Sequence, residues 1–273
     1  MSQSPLATIR RSAFAAVLLV MALLTSVSVT LAADGCPTDA DEISTDRPDV
    51  TNSSVVVPYG SLQFENGVDW TVRQGSDVVS GTETRVRLGV AQCTEVLADV
   101  PTYFYSLSGH ASSGFSDFVV SVKRELPVPF GFHLSATGGL GFPTGANKIS
   151  THGYDPYVQV PWSRRITDDW SLHGMFTVTW FTSQHRINPT FEPTLSLERD
   201  LGPTRDLFFE YVGDFPNHAR PSQILDGGGS WRVTRLEQFD FHVGFGLNSS
   251  SPDHYFGIGY SFRLDGLFTG SRN

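Results

Sequence analysis

From residue 61 to residue 264 the chain alternates apolar and polar residues with a period of two. In SLQFENGVDWTVR, residues 61–73, Leu62, Phe64, Val68, Trp70 and Val72 take one parity, and Gln63, Glu65, Asp69, Thr71 and Arg73 take the other. A period of two belongs to a β-strand whose faces meet different surroundings. The pattern recurs along the chain. Val86, Leu88 and Val90 oppose Glu83, Arg85 and Arg87; Phe118, Val120 and Val122 oppose Ser121, Lys123 and Glu125. Phe191, Leu195 and Leu197 oppose Glu192 and Ser196, and Leu207, Phe209 and Tyr211 oppose Phe208 and Glu210. Trp231 and Val233 oppose Arg232, Phe239, Phe241 and Val243 oppose Asp240 and His242, and Ile258, Tyr260 and Phe262 oppose Ser261 and Arg263. The pattern predicts about twelve strands, many close to the ~9–11 residues that cross a bilayer when tilted. No segment has a helical period of comparable strength. Glycines and doubled aromatics blur the parity at 206–214 and 223–235, which leaves the strand number open to within two.

The predicted connections alternate in length. One set is short: 91–94, 127–131, 165–169, 200–204 and 236–237. The other is generally longer: 74–81, 102–115, 142–154, 182–190, 215–222 and 249–253. Short turns at one end and long loops at the other are the mark of an outer-membrane barrel, and a soluble sandwich has no reason to sort them. The apolar parity then faces lipid and the polar parity a lumen. Lipid cannot satisfy open backbone, so the sheet has to close. Trp70, Trp162, Trp170, Trp180 and Trp231 fall mostly near predicted strand ends, where such rings sit well at a membrane interface.

The start of the chain adds an export signal. Arg10 and Arg11 precede a long uncharged apolar run and then small residues, the arrangement of a signal peptide cut near 32–34. An uncleaved anchor, or a lipidated Cys36, is the alternative. The sequence therefore divides into a signal peptide at 1–33, an extended N-terminal periplasmic segment at 34–59, a barrel at 60–265 and a C-terminal tail at 266–273. Of 273 residues 17% are charged and 12% aromatic, and the formal net charge is −9. Nothing basic invites nucleic acid. The fold class is all-β: a transmembrane antiparallel up-and-down barrel of about 12 strands, with outer-membrane lipid and a barrel-assembly machinery as its implied partners.

Candidate chemistry is confined to the inward parity and the N-terminal segment. Pore-lining candidates are Glu65, Asp69, Arg73, Glu83, Arg85, Arg87, Lys123, Glu125, Glu192, Glu210, Arg232, Asp240 and Arg263. A ring of one sign would argue for ion selectivity; mixed signs read first as cross-strand pairs that stiffen the wall. Twelve strands lie between a self-filled eight-stranded barrel and an open porin, so a narrow polar pore fits. Asp46, Arg47, Pro48 and Asp49 read as a rigid ion-paired turn that bridges the base or enters the barrel, or as a substrate gate. Cys36 and Cys93 are the only cysteines, and both land on the periplasmic side, where one disulfide or two free thiols is possible. His133, His173 and His242 point inward by parity. His110, His152, His185, His218 and His254 are scattered in loops. With no G-x-S-x-G and no H-E-x-x-H, neither an enzyme nor a cofactor or metal is expected.

ISTDRPDVT (43–51) followed by VPYGSLQFENG (57–67) resembles the opening of the outer-membrane family of meta-pathway phenol-degradation proteins, commonly labelled "transporter". GFSDFVVSVKREL (114–126) and GFPTG (141–145) are similar to that family's later strand and loop motifs. The resemblance implies an outer-membrane barrel that takes up small organic solutes, with aromatic ones as a candidate class. A non-conducting structural or surface-recognition barrel stands beside it, and a lipid-modifying barrel enzyme behind both.

Overall fold

The computed structural model describes residues 36, 40–109, 111–183 and 186–268; the expected signal peptide lies outside them, as do His110 and His185. Twelve antiparallel strands form a closed wall among these residues. They are β1 (Leu62–Arg73), β2 (Ser76–Gly81 and Arg85–Ala91), β3 (Thr94–Asp99 and Tyr103–Ser106) and β4 (Gly114–Phe115 and Phe118–Leu126). There follow β5 (Phe132–Phe142), β6 (Asp155–Arg165), β7 (Trp170–Ser183), β8 (Arg186–Asp200), β9 (Arg205–Pro216), β10 (Ser222–Thr234), β11 (Glu237–Gly246) and β12 (His254–Leu264). The interruptions of β2, β3 and β4 lie side by side. Single backbone bonds carry the ladder across them, from Glu83 to Gly67, Val100 to Thr84 and Ser116 to Thr102. β12 closes on β1 through eleven residue pairs, from Leu62–Leu264 to Val72–His254.

The burial pattern is the reverse of a soluble fold. Gln63, Glu65, Arg87, Glu95, Lys123, Ser135, Glu210 and Ser261 are buried, while Phe176, Phe209, Phe241, Phe245, Phe256 and Ile258 are exposed. In water this would strand apolar surface and bury charge at large cost. In a bilayer the same arrangement puts each class in its proper solvent.

The base of the barrel, where β1 begins and β12 ends, carries the turns 92–93, 127–131, 166–169, 201–204 and 235–236. Among the described residues the rim carries 74–75, 107–109, 111–113, 143–154, 217–221 and 247–253. Two loops expected from sequence, 74–81 and 182–190, are largely strand instead, over 76–81, 182–183 and 186–190. Gln74 and Gly75, with φ of 49° and 76°, form a two-residue turn of the kind that matches strand twist. β7 and β8 run 14 and 15 residues before turning. Beyond the lipid band neither face needs to be apolar, so alternation fades while the ladder continues.

The N-terminal segment does not lie outside at the periplasmic face. Over its described part it enters the barrel at the base, where the Ile43 N–H donates to the Arg235 carbonyl at 2.8 Å. It turns within the lumen and returns to the base, where the Gly60 N–H donates to the Gly89 carbonyl at 2.9 Å. Ile43, Val56 and Val57 are buried there. Cys36 and Cys93 are joined as a disulfide with Cα atoms 5.2 Å apart, which ties this strap to the β2–β3 turn.

Candidate functional site

The strap has no regular structure of its own, so its backbone N–H groups need outside acceptors. Wall carboxylates supply them. Glu65 accepts from the Asp46 N–H at 2.9 Å, Glu210 from Val50 and Thr51 at 2.8 Å each, Glu125 from Val56 at 2.8 Å and Glu95 from Val57 at 2.8 Å. The Thr51 hydroxyl also meets Glu210 and Thr194. Inward acids that read in sequence as pore lining thus serve here as a cradle for the strap.

Asp46 sits in a cationic niche, with Lys123 at 3.0 Å, Arg85 at 3.1 Å and Arg87 at 3.5 Å. Burial opposes its ionisation, but Arg87, Lys123 and Arg85 overcome that and hold its carboxyl below the usual range. The niche is anchored in turn. Arg87 bonds Glu65 at 2.9 Å and Glu95 at 2.8 Å, and Arg85 bonds Asp99 at 2.6 Å across the β2–β3 ladder.

Arg47 faces the other part of the wall. Glu83 lies 3.0 Å away, Asp240 3.5 Å and Asp69 3.8 Å, and Asp69 also meets His242 at 3.3 Å. A Cβ at Gly67 would collide with the Arg47 guanidinium, and one at Gly259 with Arg47 Nε and Asp240. These glycines pair across the β1–β12 seam, so the seam carries a shallow seat for the arginine. The expected ion-paired turn is therefore not formed within the motif: Asp46 and Arg47 each reach separate wall residues. Pro48 turns the chain between them and Asp49. Burial, then the charges of Glu210 and Glu198, push the Asp49 carboxyl well above its ordinary range.

Other candidates have distinct places. Arg232 bonds Glu42 at 2.7 Å, and Arg263 holds Asp265 at 2.8 Å and the Glu42 carbonyl at 2.9 Å; both guard the strap's entry at the base. Arg73 is not in the strap's surroundings. It sits exposed at the rim and bonds the Ser250 carbonyl. Glu192 lines the rim side of the lumen.

The strap divides the lumen. A cavity of about 630 Å³ lies on the rim side and a smaller one of about 190 Å³ on the base side. Arg47, Pro48 and Asp49 border both, so this short motif is the partition. Sequence reasoning missed Asp214 and Asp226 on the rim cavity, because they lie in the two stretches of blurred parity. It also missed the seat at Gly67 and Gly259, whose signal is visible only once the two ends of the barrel are paired.

One Ser–His pair occurs in the lumen. Ser171 Oγ lies 2.8 Å from His173 Nε2, and Glu198 lies 3.5 Å from that same nitrogen. A hydrolytic triad needs the acid on the opposite ring nitrogen from the nucleophile, so this trio lacks the relay geometry. Among the described residues no group of three or more His, Cys, Asp or Glu is arranged to hold a metal ion.

Residues 45–264 match the family model described as "Putative MetA-pathway of phenol degradation". No curated protein sequence matches the chain. The barrel is similar to the crystal structure of an outer-membrane channel from Pseudomonas putida F1, with a TM-score of 0.62 at 13% identity over 78% of this chain and 98% of that one. It is also similar to the NanC porin (TM-score 0.53, 10% identity, 74% and 100%). The KdgM porin in complex with disordered oligogalacturonate is a further likeness (0.52, 8%, 74% and 98%). At these identities the likeness establishes the fold, a closed antiparallel outer-membrane β-barrel.

Proposed function

The chain belongs to the family described as "Putative MetA-pathway of phenol degradation", and from that premise we propose that it is a narrow outer-membrane channel for small organic solutes, closed at rest by its own N-terminal strap. The supporting observation is the partition. A polar lumen is open to the rim, and its passage to the base is interrupted at the level of Arg47, Pro48 and Asp49. A wall built only for rigidity has no need of a chamber on each side of a septum. The septum is held by ion pairs rather than by a covalent bond at that level, so it can be displaced without unfolding the wall. Its entry is fixed at the base by Arg232, Arg263 and the disulfide, which keeps a displaced strap close by.

Single-channel recording of the refolded mature chain in a planar bilayer tests this reading. Small discrete current steps, enlarged in an Arg47→Ala variant, are expected. A folded barrel without current in either form would overturn the channel and leave a structural or surface-recognition role. Solute preference is read by block of the current, with aromatic and aliphatic solutes compared at equal size.

A further inference from the structure

The rim chamber is electrically one-sided. Nine carboxylates border it against two guanidiniums, those of Arg47 and Arg85, and the His242 ring, and all three basic groups are already engaged with acids. The acids on the β1–β3 side are therefore paired. On the β8–β10 side they are not. Asp214 and Asp226 lie on β9 and β10, and Glu192 on β8 is level with Asp214, between the ladder pairs Phe191–Phe215 and Thr194–Val212. Among the described residues no lysine, arginine or histidine comes within ion-pair distance of Glu192, Asp214 or Asp226.

Asp226 is the decisive member. It is 2% exposed, and one of its carboxylate oxygens, Oδ1, has no hydrogen-bond partner among the described residues. The other accepts from the Tyr255 hydroxyl at 2.7 Å. A buried carboxylate oxygen left without a donor is costly, and nearly every such group in a folded protein finds one. Asp226 also borders a chamber roomy enough for a solute, and a small movement of its carboxyl brings this oxygen to the chamber. Between the two levels of acid, Val212 and Ile224 pair directly across the β9–β10 ladder and also border the chamber. The wall thus offers carboxylates above and below an apolar step, with the Tyr255 ring nearby.

We infer that this wall of the rim chamber is a binding site for a small amphipathic organic ammonium ion, its charged head on Asp226 and its apolar part on Val212 and Ile224, with the Glu192–Asp214 pair beyond the apolar step adding to the field that draws the cation in. The inference deepens the channel reading and rests on it only for the route by which the ion leaves. A metal ion is disfavoured because no cluster of ligating side chains is assembled there among the described residues. An anionic solute would meet an uncompensated carboxylate wall. A cation instead supplies the missing donors and the missing charge together, and charge-assisted bonds of this kind are the strong ones. The field of the acids also concentrates cations at the mouth before any contact is made.

Calorimetric titration of the detergent-folded chain tests the site, with phenethylammonium as probe and 2-phenylethanol and phenylacetate as neutral and anionic counterparts. The ammonium is expected to bind at least about tenfold more tightly than the alcohol, which is about 1.4 kcal/mol, and phenylacetate not at all. Asp226→Asn with Glu192→Gln is expected to abolish the preference, while Asp226→Glu retains it. Each variant is first checked for a folded barrel by its shifted migration in unboiled samples, and Asp214→Asn replaces any that fails. Equal binding of the ammonium and the alcohol, or a preference that survives the double variant, would overturn the site. Ammonium binding in a barrel that passes no current keeps the site and discards the channel; current without ammonium preference does the reverse.

Discussion

Arg87 grips Glu95 through two nitrogens, Nη2 at 2.8 Å and Nε at 3.1 Å, with both side chains fully shielded from solvent. The same guanidinium reaches Glu65 and Asp46, so one arginine neutralises acids from the wall and from the strap. Replacing it by methionine is expected to cost about 3–5 kcal/mol, because buried carboxylates lose their partner. The double variant Arg87→Met, Glu95→Gln is expected to recover part of that loss. Urea titration of the heat-resistant folded band reads both. Equal loss in single and double variants would show that the pair contributes nothing of its own.

Seating Arg47 over paired glycines has a sharper consequence. Gly259→Ala and Gly67→Ala add one methyl group each where the guanidinium lies. Each is expected to displace Arg47 and so to raise single-channel current as Arg47→Ala does. Adding Arg47→Ala to Gly259→Ala is expected to change the current no further. A current in Gly259→Ala equal to that of the unaltered chain would separate the seat from the closure.

The strap also carries an opposed pair of titrations. Asp49 is raised well above its ordinary pKa, by burial and then by Glu210 and Glu198, so the docked strap binds that proton more tightly than a free strap, whose Asp titrates near ~3.9. Docking therefore weakens as pH climbs from the ordinary carboxylate range through the raised value. Asp46 is held below its ordinary range, so its contribution is present above that range and lost only as pH falls beneath it. The strap is tightest between the two. Protease cleavage within residues 40–58 should rise on the alkaline side, and Asp49→Asn should remove that rise while leaving the acid side unchanged.

Cys36 and Cys93 bracket a closed loop that contains the whole strap. Crosslinks of this size stabilise by about 2–4 kcal/mol, largely by restricting the released state. Cys93→Ser is expected to leave the wall intact, since Cys93 stands in a base turn, but to lengthen each open period of the channel. The folded band in an unboiled sample checks the wall and dwell-time analysis checks the strap. Unaltered dwell times would show that Asp46 and Arg47 hold the strap without the disulfide.

Alternation made the wall legible. Phe64, Phe239 and Phe256 could be assigned outward, and Glu65, Asp240 and Ser261 inward, because lipid and lumen impose opposite demands on adjacent positions. The tight turn at 74–75 and the full lengths of β7 and β8 were not legible, because outside the lipid band the demand disappears while the ladder persists. Nor was the course of the strap. Its acceptors are far away along the chain, as in Thr51 with Glu210, 159 residues apart, and no local period encodes such a partner. Asp226 was hidden by the run Gly227, Gly228 and Gly229, which has no side chains from which to count faces.

The seam between β1 and β12 joins the two ends of the wall, and the strap lies within the ring that this seam completes. The order in which the molecule can be built is thereby restricted. Residues 62–72 pair with β2 along one edge, but the other edge has no partner until residues 254–264 exist, so the first strand made waits for the last. The strap's acceptors stand on two sides of the ring, Glu65, Glu95 and Glu125 on β1, β3 and β4 and Glu210 across from them on β9, and the two sides face one another only when the circle is nearly complete. Contacts of such separation are slow to form. Filling the lumen and sealing the seam are consequently late events in assembly, and they belong to the same step.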